Sequence, residues 1–390
     1  MSGPLAGVRV IDLTNVIMGP FATHILADMG ADVIKIESAE GDSIRTYRPY
    51  RGESMSGSFL HLNRNKRSVT LDLKSARGRE AMDRLLAGAD VFVHALRPRT
   101  IRSLGYDYDR VRDLNPDITH CGAYGFSAKG PYADKAAYDD IIQAGCGMAA
   151  LSARLHGEPT FIPTVVCDKL AGQAIAYSIL AALFARERGS GGQAIEVPMF
   201  ETAIEFALLE HLGGFAFEPP LSRPGFARLM SVWRRPFRTA DGWCCILPYS
   251  TRNWRDFFAF VGRDEHADDP RFATLRDRVQ HIETLYRLID ETAPSHPTAA
   301  WAEFCDRCSI PCMPVLAIED LPEDPHVREV GLFGAAEHPT EGPYKMIRPP
   351  VTFSAQPFEL RRHAPRLGEH TGEVLAEIGM EEGAVAQGSG

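Results

Sequence analysis

Cysteine is scarce in this sequence, and it has no excess of positive charge and no long apolar run. Eight cysteines in 390 residues, without the regular spacing of a small secreted scaffold, exclude a disulfide-stapled fold and predict free thiols in a reducing compartment. Lys and Arg number 42 against 51 Asp and Glu, so the net charge of −9 argues against a nucleic-acid partner but allows a local basic pocket. The longest apolar helical stretch, 174–184, is far short of the roughly 20 residues that cross a bilayer.

The start of the chain also lacks the basic and apolar regions of an export signal, so we expect a soluble, cytoplasmic protein with no membrane partner. Apolar residues make up 45% and charged residues 24%, which is ordinary globular composition and excludes a disordered or collagen-like chain. The length of 390 residues favours two or three domains over one.

Short β-branched runs alternate with stretches of helical spacing through the first half of the chain. Residues 8–13 and 31–37 are predicted strands with a helix at 21–29 between them, a βαβ unit. This alternation predicts the α/β class, with a largely parallel sheet covered by helices. Further strands are expected at 68–73, 90–94, 118–123 and 194–197, and further helices at 78–86, 169–188 and 200–212.

The pattern changes after residue 212. Residues 213–231 are rich in Gly and Pro and are interpreted as a linker. A hairpin over 235–247 and three helical stretches then predict a smaller α+β domain at 232–320. Residues 321–350 contain several prolines and are expected to form an extended return linker, followed by a last helix at 368–378.

The first strand-to-helix turn lies where a dinucleotide-binding protein carries G-x-G-x-x-G. Here the turn has only Gly19, followed by Pro20, so the motif argues against NAD, even though Glu37 ends the second strand as a ribose-binding acid does. The helix N-terminus at this turn can still receive a phosphate or another polar group.

Cys305, Cys308 and Cys312 have a spacing that thiolate metal sites use. A suitable fourth ligand is absent nearby, so free thiols at a helix end are the favoured interpretation and no metal is predicted. Cys244 and Cys245 are neighbours on a predicted strand, where their side chains face opposite sides and do not form one site.

Asp168 directly precedes the predicted helix 169–188 and has two compatible interpretations. It is an N-cap, or it is a carboxylate that backbone donors keep ionised at a cleft. The segment Tyr138-Asp139-Asp140 is likewise a turn before a helix, and the glycines that follow it, Gly145 and Gly147, can present bare amides to an oxyanion. Spacing alone leaves these alternatives open.

Several motifs occur in order along nearly the whole chain, among them GADVIKIE at 30–37, NRNKRSVTLDLK at 63–74 and LGEHT at 367–371. Together with Gly19-Pro20, Tyr138-Asp139 and Ile310-Pro311-Cys312, they resemble the class III CoA-transferases. That family includes formyl-CoA transferase, carnitine CoA-transferases and α-methylacyl-CoA racemase.

The resemblance implies a Rossmann-like large domain, built from 1–212 and completed by 351–390, with the smaller domain inserted and two subunits interlocked as a homodimer. It also implies that Asp168 is the nucleophile of an enzyme that moves CoA from an acyl-CoA thioester to a small carboxylic acid, through an aspartyl anhydride and an aspartyl-CoA thioester. Acyl-CoA and the acid are then the partners, CoA enters as substrate, and no permanently bound cofactor is expected. Gly145 and Gly147 are the candidate oxyanion donors.

The family pattern further implies several binding residues. Tyr138, Asp139 and Met199 match active-site positions. Arg102 is expected to compensate for Ala95 and Ser103, which replace residues common in the family near the adenine, and Lys35 is an electrostatic candidate for the CoA phosphates. The residues expected beside CoA are Val16, Ile17, Met18, Leu71, Lys74 and Arg97.

Two departures from the family pattern bear on the reaction. The racemase branch has a His where this chain has Tyr138, which favours CoA transfer over epimerisation. The formyl-CoA branch has a glycine run where this chain has residues 223–233, which argues against formyl and oxalyl substrates. An acyl-CoA epimerase and a non-catalytic acyl-CoA binding protein remain the alternatives.

Overall fold

The computed structural model describes residues 3–52 and 55–381. Residues 382–390 of the predicted C-terminal segment lie outside this description. The chain forms two compact units, the first of Met1–Ala149, Phe161–Ala207 and His326–Gly390, the second of Ala150–Thr160 and Leu208–Pro325. The domain boundaries inferred from composition stay a prediction.

A six-stranded parallel sheet forms the centre of the first unit. Its order is β3-β2-β1-β4-β5-β6, so the direction in which the sheet grows reverses between β1 and β4. The strands of this sheet are β1 (Arg9–Leu13), β2 (Asp32–Glu37), β3 (Lys66–Thr70), β4 (Val91–His94), β5 (Thr119–Tyr124) and β6 (Gln193–Pro198). The strands of two smaller sheets are β7 (Phe237–Arg238), β8 (Trp243–Ile246) and β9 (Cys312–Pro314) in one, and β10 (Phe333–His338) and β11 (Gly342–Ile347) in the other.

Helices cover this sheet, and the mixed α/β class predicted from the alternating pattern is confirmed. The predicted helix at 169–188 is observed as α8, which begins three residues earlier and ends one residue earlier than predicted. The helices are α1 (Met18–Asp28), α2 (Gly57–Leu62), α3 (Ala76–Ala87), α4 (Pro98–Leu104), α5 (Tyr108–Leu114), α6 (Asp139–Gly145), α7 (Met148–His156), α8 (Val166–Glu187), α9 (Met199–His211), α10 (Thr251–Phe260), α11 (Leu275–Gln280), α12 (Ile282–Thr292), α13 (Thr298–Cys308), α14 (Pro325–Glu329) and α15 (Thr371–Glu377).

Successive side chains of each strand point to opposite faces of the sheet and pack into two cores, one on each face. Val10 and Val33 pack with residues of α1 and α8, whereas Ile11 and Ile34 pack with residues of α3 and α15. All six residues of β2 are buried, as expected for a strand covered on both faces. α1 and α8 approach closely at Gly172, where a Cβ would lie 2.8 Å from the carbonyl oxygen of Met18.

The C-terminal segment completes the first unit at the edge of the sheet. The amide of Gly368 donates to the Ser68 hydroxyl at 2.9 Å, and the amide of Thr70 donates to the Thr371 hydroxyl at 3.1 Å. The amide of His370 donates to the carbonyl of Ser68. These bonds pair the exposed edge of β3, which protects it from pairing with another chain.

The expectation for residues 321–350 is wrong. They form the short helix α14 and the antiparallel hairpin of β10 and β11 instead of an extended linker. The hairpin turn is held by His338, whose ring nitrogen Nδ1 accepts from the amide of Thr340 at 3.2 Å. Pro343 is the second residue of β11 and lies opposite Glu337, and the other prolines of 321–350 lie outside the two strands. Both strands of a two-stranded hairpin are edge strands, where a proline is tolerated.

The second unit is a small antiparallel sheet covered by helices. The predicted hairpin is confirmed as β7 and β8, paired through Phe237 and Cys244, and β9 adds a third strand that the pattern did not predict. Its core is aromatic, and the rings of Phe260 and Phe304 stack with their centroids 3.9 Å apart.

Helix α8 has the length and apolar composition to cross a membrane, and it is the one such helix in the described part of the chain. More than half of its most apolar stretch is buried inside the molecule, which is also typical of a core helix.

Candidate active site

The carboxyl ends of β1, β2 and β3 border an open cavity of about 550 Å³. In a parallel sheet of this kind, ligands bind outside the carboxyl ends of the strands, near the point where strand order reverses. Leu71 and Lys74, both predicted to lie beside CoA, line this cavity with Leu13 and Asn15 from the end of β1. The cavity is therefore the candidate nucleotide-binding region.

The loop after β1 enters α1 through Val16, Ile17 and Met18. Val16 has a φ of +68°, an uncommon conformation for a β-branched residue that requires support from its surroundings. Its amide donates to the Asp42 carboxylate at 3.0 Å, and this bond supplies that support. Ile17 packs on the small core around Ile44, and Met18 is buried under the sheet.

A network of buried ion pairs holds the loop after β1 in place. Lys35 is completely buried, forms an ion pair with Asp42 at 2.9 Å and donates to the carbonyl of Thr14 at 2.7 Å. The interpretation of Lys35 as a phosphate ligand is therefore wrong. Glu37 is similarly occupied, because its carboxylate accepts from the Arg45 guanidinium at 2.7 Å and the Ser68 hydroxyl at 2.6 Å.

Asp139 and Asp168 meet at the start of α8. The amide of Asp168 donates to Oδ2 of Asp139 at 3.0 Å. Because α8 begins at Val166 with Val165 at the N-cap, Asp168 lies in the first turn and is not the N-cap. The prediction of an Asp168 N-cap is thus wrong, and Asp139 of α6 provides the carboxylate that an N-cap normally supplies.

The surroundings of Asp168 disfavour its charge. Burial, followed by repulsion from Asp139, raises the pKa of the half-buried Asp168 carboxyl to about 7. The expectation that backbone donors keep it ionised is therefore corrected, since the carboxyl is only partly ionised near neutral pH. A carboxylate whose charge is poorly solvated is a stronger nucleophile than one in water.

Gln143 holds this pair in place, and the residue types and spacing alone did not identify it. Its Nε2 donates to Oδ1 of Asp139 at 2.6 Å, and its Oε1 accepts from the amide of Ile162 at 2.9 Å. It thereby connects α6 to the segment that enters α8. The available signal was its spacing of four residues from Asp139, which places both on one face of a helix.

The first unit thus has an acid pair at the start of α8 and an open cavity at the carboxyl ends of β1, β2 and β3. The model of CoA-transferase family III matches residues 5–371. The chain is a family III CoA-transferase.

Relatives of known activity agree with this assignment. A succinate–glutarate CoA-transferase of Agrobacterium fabrum is 32% identical over 382 residues, covering 96% of each chain. A formyl-CoA:oxalate CoA-transferase of Escherichia coli O6:H1 is 30% identical over 416 residues, covering 99% of this chain and 98% of the relative.

Solved structures share the fold. A CAIB/BAIF family protein from Brucella suis superposes with a TM-score of 0.82 at 29% identity, over 97% of this chain and 100% of its own. Rv3272 of Mycobacterium tuberculosis superposes with a TM-score of 0.82 at 28% identity, over 95% of this chain and 98% of its own.

The predicted oxyanion donors of this CoA-transferase differ in their surroundings. Gly145 ends α6, so the helical pattern directs its N–H to the carbonyl four residues earlier. Gly147 has a φ of +98° and open space where a side chain would be, so it can approach a substrate. Tyr138 is the N-cap residue of α6 and is 69% exposed. Among these residues, Gly147 fits the oxyanion role best.

The remaining predicted residues of the CoA-transferase follow other strands of the sheet. Arg97 precedes α4 after β4, and its guanidinium donates to the carbonyl of Asp134 at 2.9 Å. Arg102 is exposed in the last turn of α4, and Met199 is buried at the start of α9. Met199 follows β6 directly, so Arg97 and Met199 both follow carboxyl ends of the sheet, as Val16 and Leu71 do.

The predicted thiol cluster lies in the second unit. Cys305 is buried in α13, Cys308 ends that helix and Cys312 begins β9. The sulfurs of Cys244 and Cys312 are 3.2 Å apart, a hydrogen-bond distance, and both thiols are free. Within residues 3–52 and 55–381, no three His, Cys, Asp or Glu side chains are grouped as a metal site requires.

Proposed function

We propose that this enzyme transfers CoA from an acyl-CoA thioester to a small carboxylic acid through covalent intermediates on Asp168. The observation that carries the proposal is the half-buried Asp168 carboxyl, whose pKa is raised to about 7 beside Asp139. Its charge is disfavoured by burial and repulsion, and acylation removes that charge. Part of the ground-state repulsion is therefore relieved as the first bond forms.

The exchange proceeds in four substitutions at carbonyl carbon. The Asp168 carboxylate attacks the thioester, the C–S bond breaks, and CoA leaves as a thiolate with an aspartyl anhydride remaining. The thiolate then attacks the aspartyl carbonyl, which releases the donor acid as a carboxylate and leaves an aspartyl-CoA thioester. The acceptor carboxylate attacks this thioester to give a second anhydride and thiolate. Attack of that thiolate on the acceptor's carbonyl forms the new acyl-CoA and frees Asp168.

Each substitution passes through a tetrahedral oxyanion. The Gly147 amide is the proposed donor to it, and one such donor contributes about 3 kcal/mol to transition-state stabilisation. Val16, Ile17, Met18, Leu71 and Lys74 are proposed to hold CoA at the carboxyl edge of the sheet. The reaction needs no bound cofactor beyond CoA itself.

The proposed acceptor is a small organic acid. The two relatives named above act, by their names, on succinate, glutarate, formyl-CoA and oxalate. In this chain residues 223–233 contain Gly225 as their single glycine, which supports an acid other than formate or oxalate.

We further propose a cytoplasmic homodimer with interlocked subunits. Tyr177 and Phe184, two turns apart on α8, are 62% and 64% exposed and form an apolar face that a second copy would cover. Light scattering should give the mass of two chains. A monomer at micromolar concentration contradicts the dimer and leaves the chemistry of Asp168 untouched.

Trapping the covalent intermediate tests the proposed chemistry. In the presence of an acyl-CoA, hydroxylamine should attack the aspartyl-CoA thioester, release CoA and leave a hydroxamate on Asp168. Peptide mass spectrometry detects this adduct. The exposed carboxyl of Asp140 is the internal control and should stay unmodified. Exchange without any adduct on Asp168 contradicts the proposal, and uptake of solvent deuterium at the α-carbon without an acceptor acid indicates an epimerase.

A further inference from the structure

The second unit contains a cavity of about 230 Å³ with three arginines at its rim. Arg228 comes from the segment before β7, and Arg234 and Arg235 directly precede that strand. The side chains of Phe237, Ile246 and Leu247 provide an apolar floor, and the first two are buried. We call this cavity the arginine pocket.

Arg228 is held in a fixed orientation. Its Nε donates to the hydroxyl oxygen of Tyr286 at 2.9 Å, and the Tyr286 ring is only 2% exposed. Its guanidinium carbon also lies 5.6 Å from the centroid of the Tyr249 ring. Anchoring through Nε leaves the two Nη groups for a ligand, and little side-chain entropy remains to be lost on binding.

The positive charge of the pocket is only partly neutralised. Arg235 forms an ion pair with Asp290 at 3.1 Å. Within the described part of the chain, Arg228 and Arg234 have no carboxylate at ion-pairing distance. Two uncompensated guanidinium groups in a protein with a net charge of −9 favour an anionic ligand.

Size and lining narrow the choice of anion. A cavity of about 230 Å³ is below the range of about 300–1,000 Å³ that drug-sized ligands occupy, so the whole CoA molecule is too large for it. The apolar floor suits a hydrocarbon chain next to the charged group, which inorganic phosphate lacks. We propose that the arginine pocket binds the carboxylate of a small organic acid. The choice of a carboxylate rests on the proposed function, since the acids exchanged there are carboxylates.

Calorimetric titration of the full-length enzyme with glutarate, without acyl-CoA, tests the pocket. Arg234→Gln removes one unpaired guanidinium from an exposed position and should weaken glutarate binding about tenfold to a hundredfold. Arg228→Gln should have an effect of similar size. Arg238→Gln, an equal charge change on the exposed side of β7 and outside the pocket lining, is the matched control and should leave binding unchanged.

The outcomes separate this inference from the proposed function. Loss of binding in both variants, with the Arg238→Gln control unaffected, supports the pocket even if transfer chemistry fails. Equal affinity of wild type and Arg234→Gln, or no glutarate binding by wild type, overturns it. Inorganic phosphate that displaces glutarate and binds more tightly overturns the assignment to a carboxylate.

Discussion

Replacing Asp168 with Asn should abolish CoA exchange and at the same time make the protein more stable at pH 8. The amide cannot attack a thioester, and loss of a covalent nucleophile lowers the rate at least about a thousandfold. The stability gain follows from the pKa of Asp168, which is about 7 in the folded protein against an ordinary value of 3.8. Folding therefore opposes ionisation of this carboxyl.

The sign of the pH dependence follows from the same shift. Below pH 3.8 the carboxyl is protonated in both states and makes no difference between wild type and variant. As the pH rises from there to about 7, wild type alone loses stability, and above pH 7 the difference is constant. At about 1.4 kcal/mol per pKa unit the upper bound is about 4 kcal/mol. Water screens this half-buried group, so we expect a gain of about 1–3 kcal/mol.

Urea denaturation of both proteins at pH 4 and pH 8, with an exchange assay, provides the measurement. Asp140→Asn removes an exposed carboxylate next to Asp139 in α6 and should change neither property. Asp139→Asn should instead shift the acidic limb of the exchange rate to lower pH, because it removes the charge that repels the Asp168 carboxylate. Equal stability of Asp168→Asn and wild type at pH 8 would show that the carboxylate is not destabilised.

The parallel sheet was predictable because its signal is local. In β2, Val33 points to one face of the sheet and Ile34 and Ile36 point to the other, a pattern that suits a strand covered on both faces. The helices between strands follow from 3.6-residue spacing, and the stop of α8 follows from the glycines after residue 188. These features depend on neighbours in the sequence.

The site was predictable only in part, because its chemistry depends on contacts between distant residues. Asp168 resembled an N-cap, yet the start of α8 is capped by Asp139, 29 residues earlier. Its pKa depends on burial and on that same neighbour, which spacing does not reveal. Lysine is usually a surface residue, yet Lys35 is completely buried. The acids that pair with it come from other segments of the chain, so the sequence around Lys35 does not reveal its burial.

The charge of the arginine pocket also depends on contacts between distant residues, which the sequence does not show. Arg234 and Arg235 are adjacent in the sequence, and only the fold shows that Asp290 neutralises Arg235 and leaves Arg234 unpaired. Tyr286 orients Arg228 from 58 residues away. Charge counts describe the chain as acidic, whereas the described structure places unpaired positive charge in one small cavity.

Asp42→Ala should produce the largest loss of folding stability. The Asp42 carboxylate is 1% exposed, pairs with the buried ammonium of Lys35 and accepts from the amides of Val16 and Ile44. Removing it leaves Lys35 charged in the core with part of its compensation lost. Breaking a buried ion pair from one side costs about 3–5 kcal/mol, a large share of the about 5–15 kcal/mol that stabilises a typical domain.

The same substitution should weaken CoA binding, since Val16 loses the bond that supports its φ of +68°. The loop carrying Ile17 and Met18 then relaxes toward a common backbone conformation and moves away from the proposed CoA position. Urea unfolding and fluorescence titration with CoA measure the two effects. Asp113→Ala, an exposed carboxylate in the same unit, is the matched control and should change neither. Loss of stability with unchanged CoA affinity would show that the network supports the fold alone and that the β1 loop does not bind CoA.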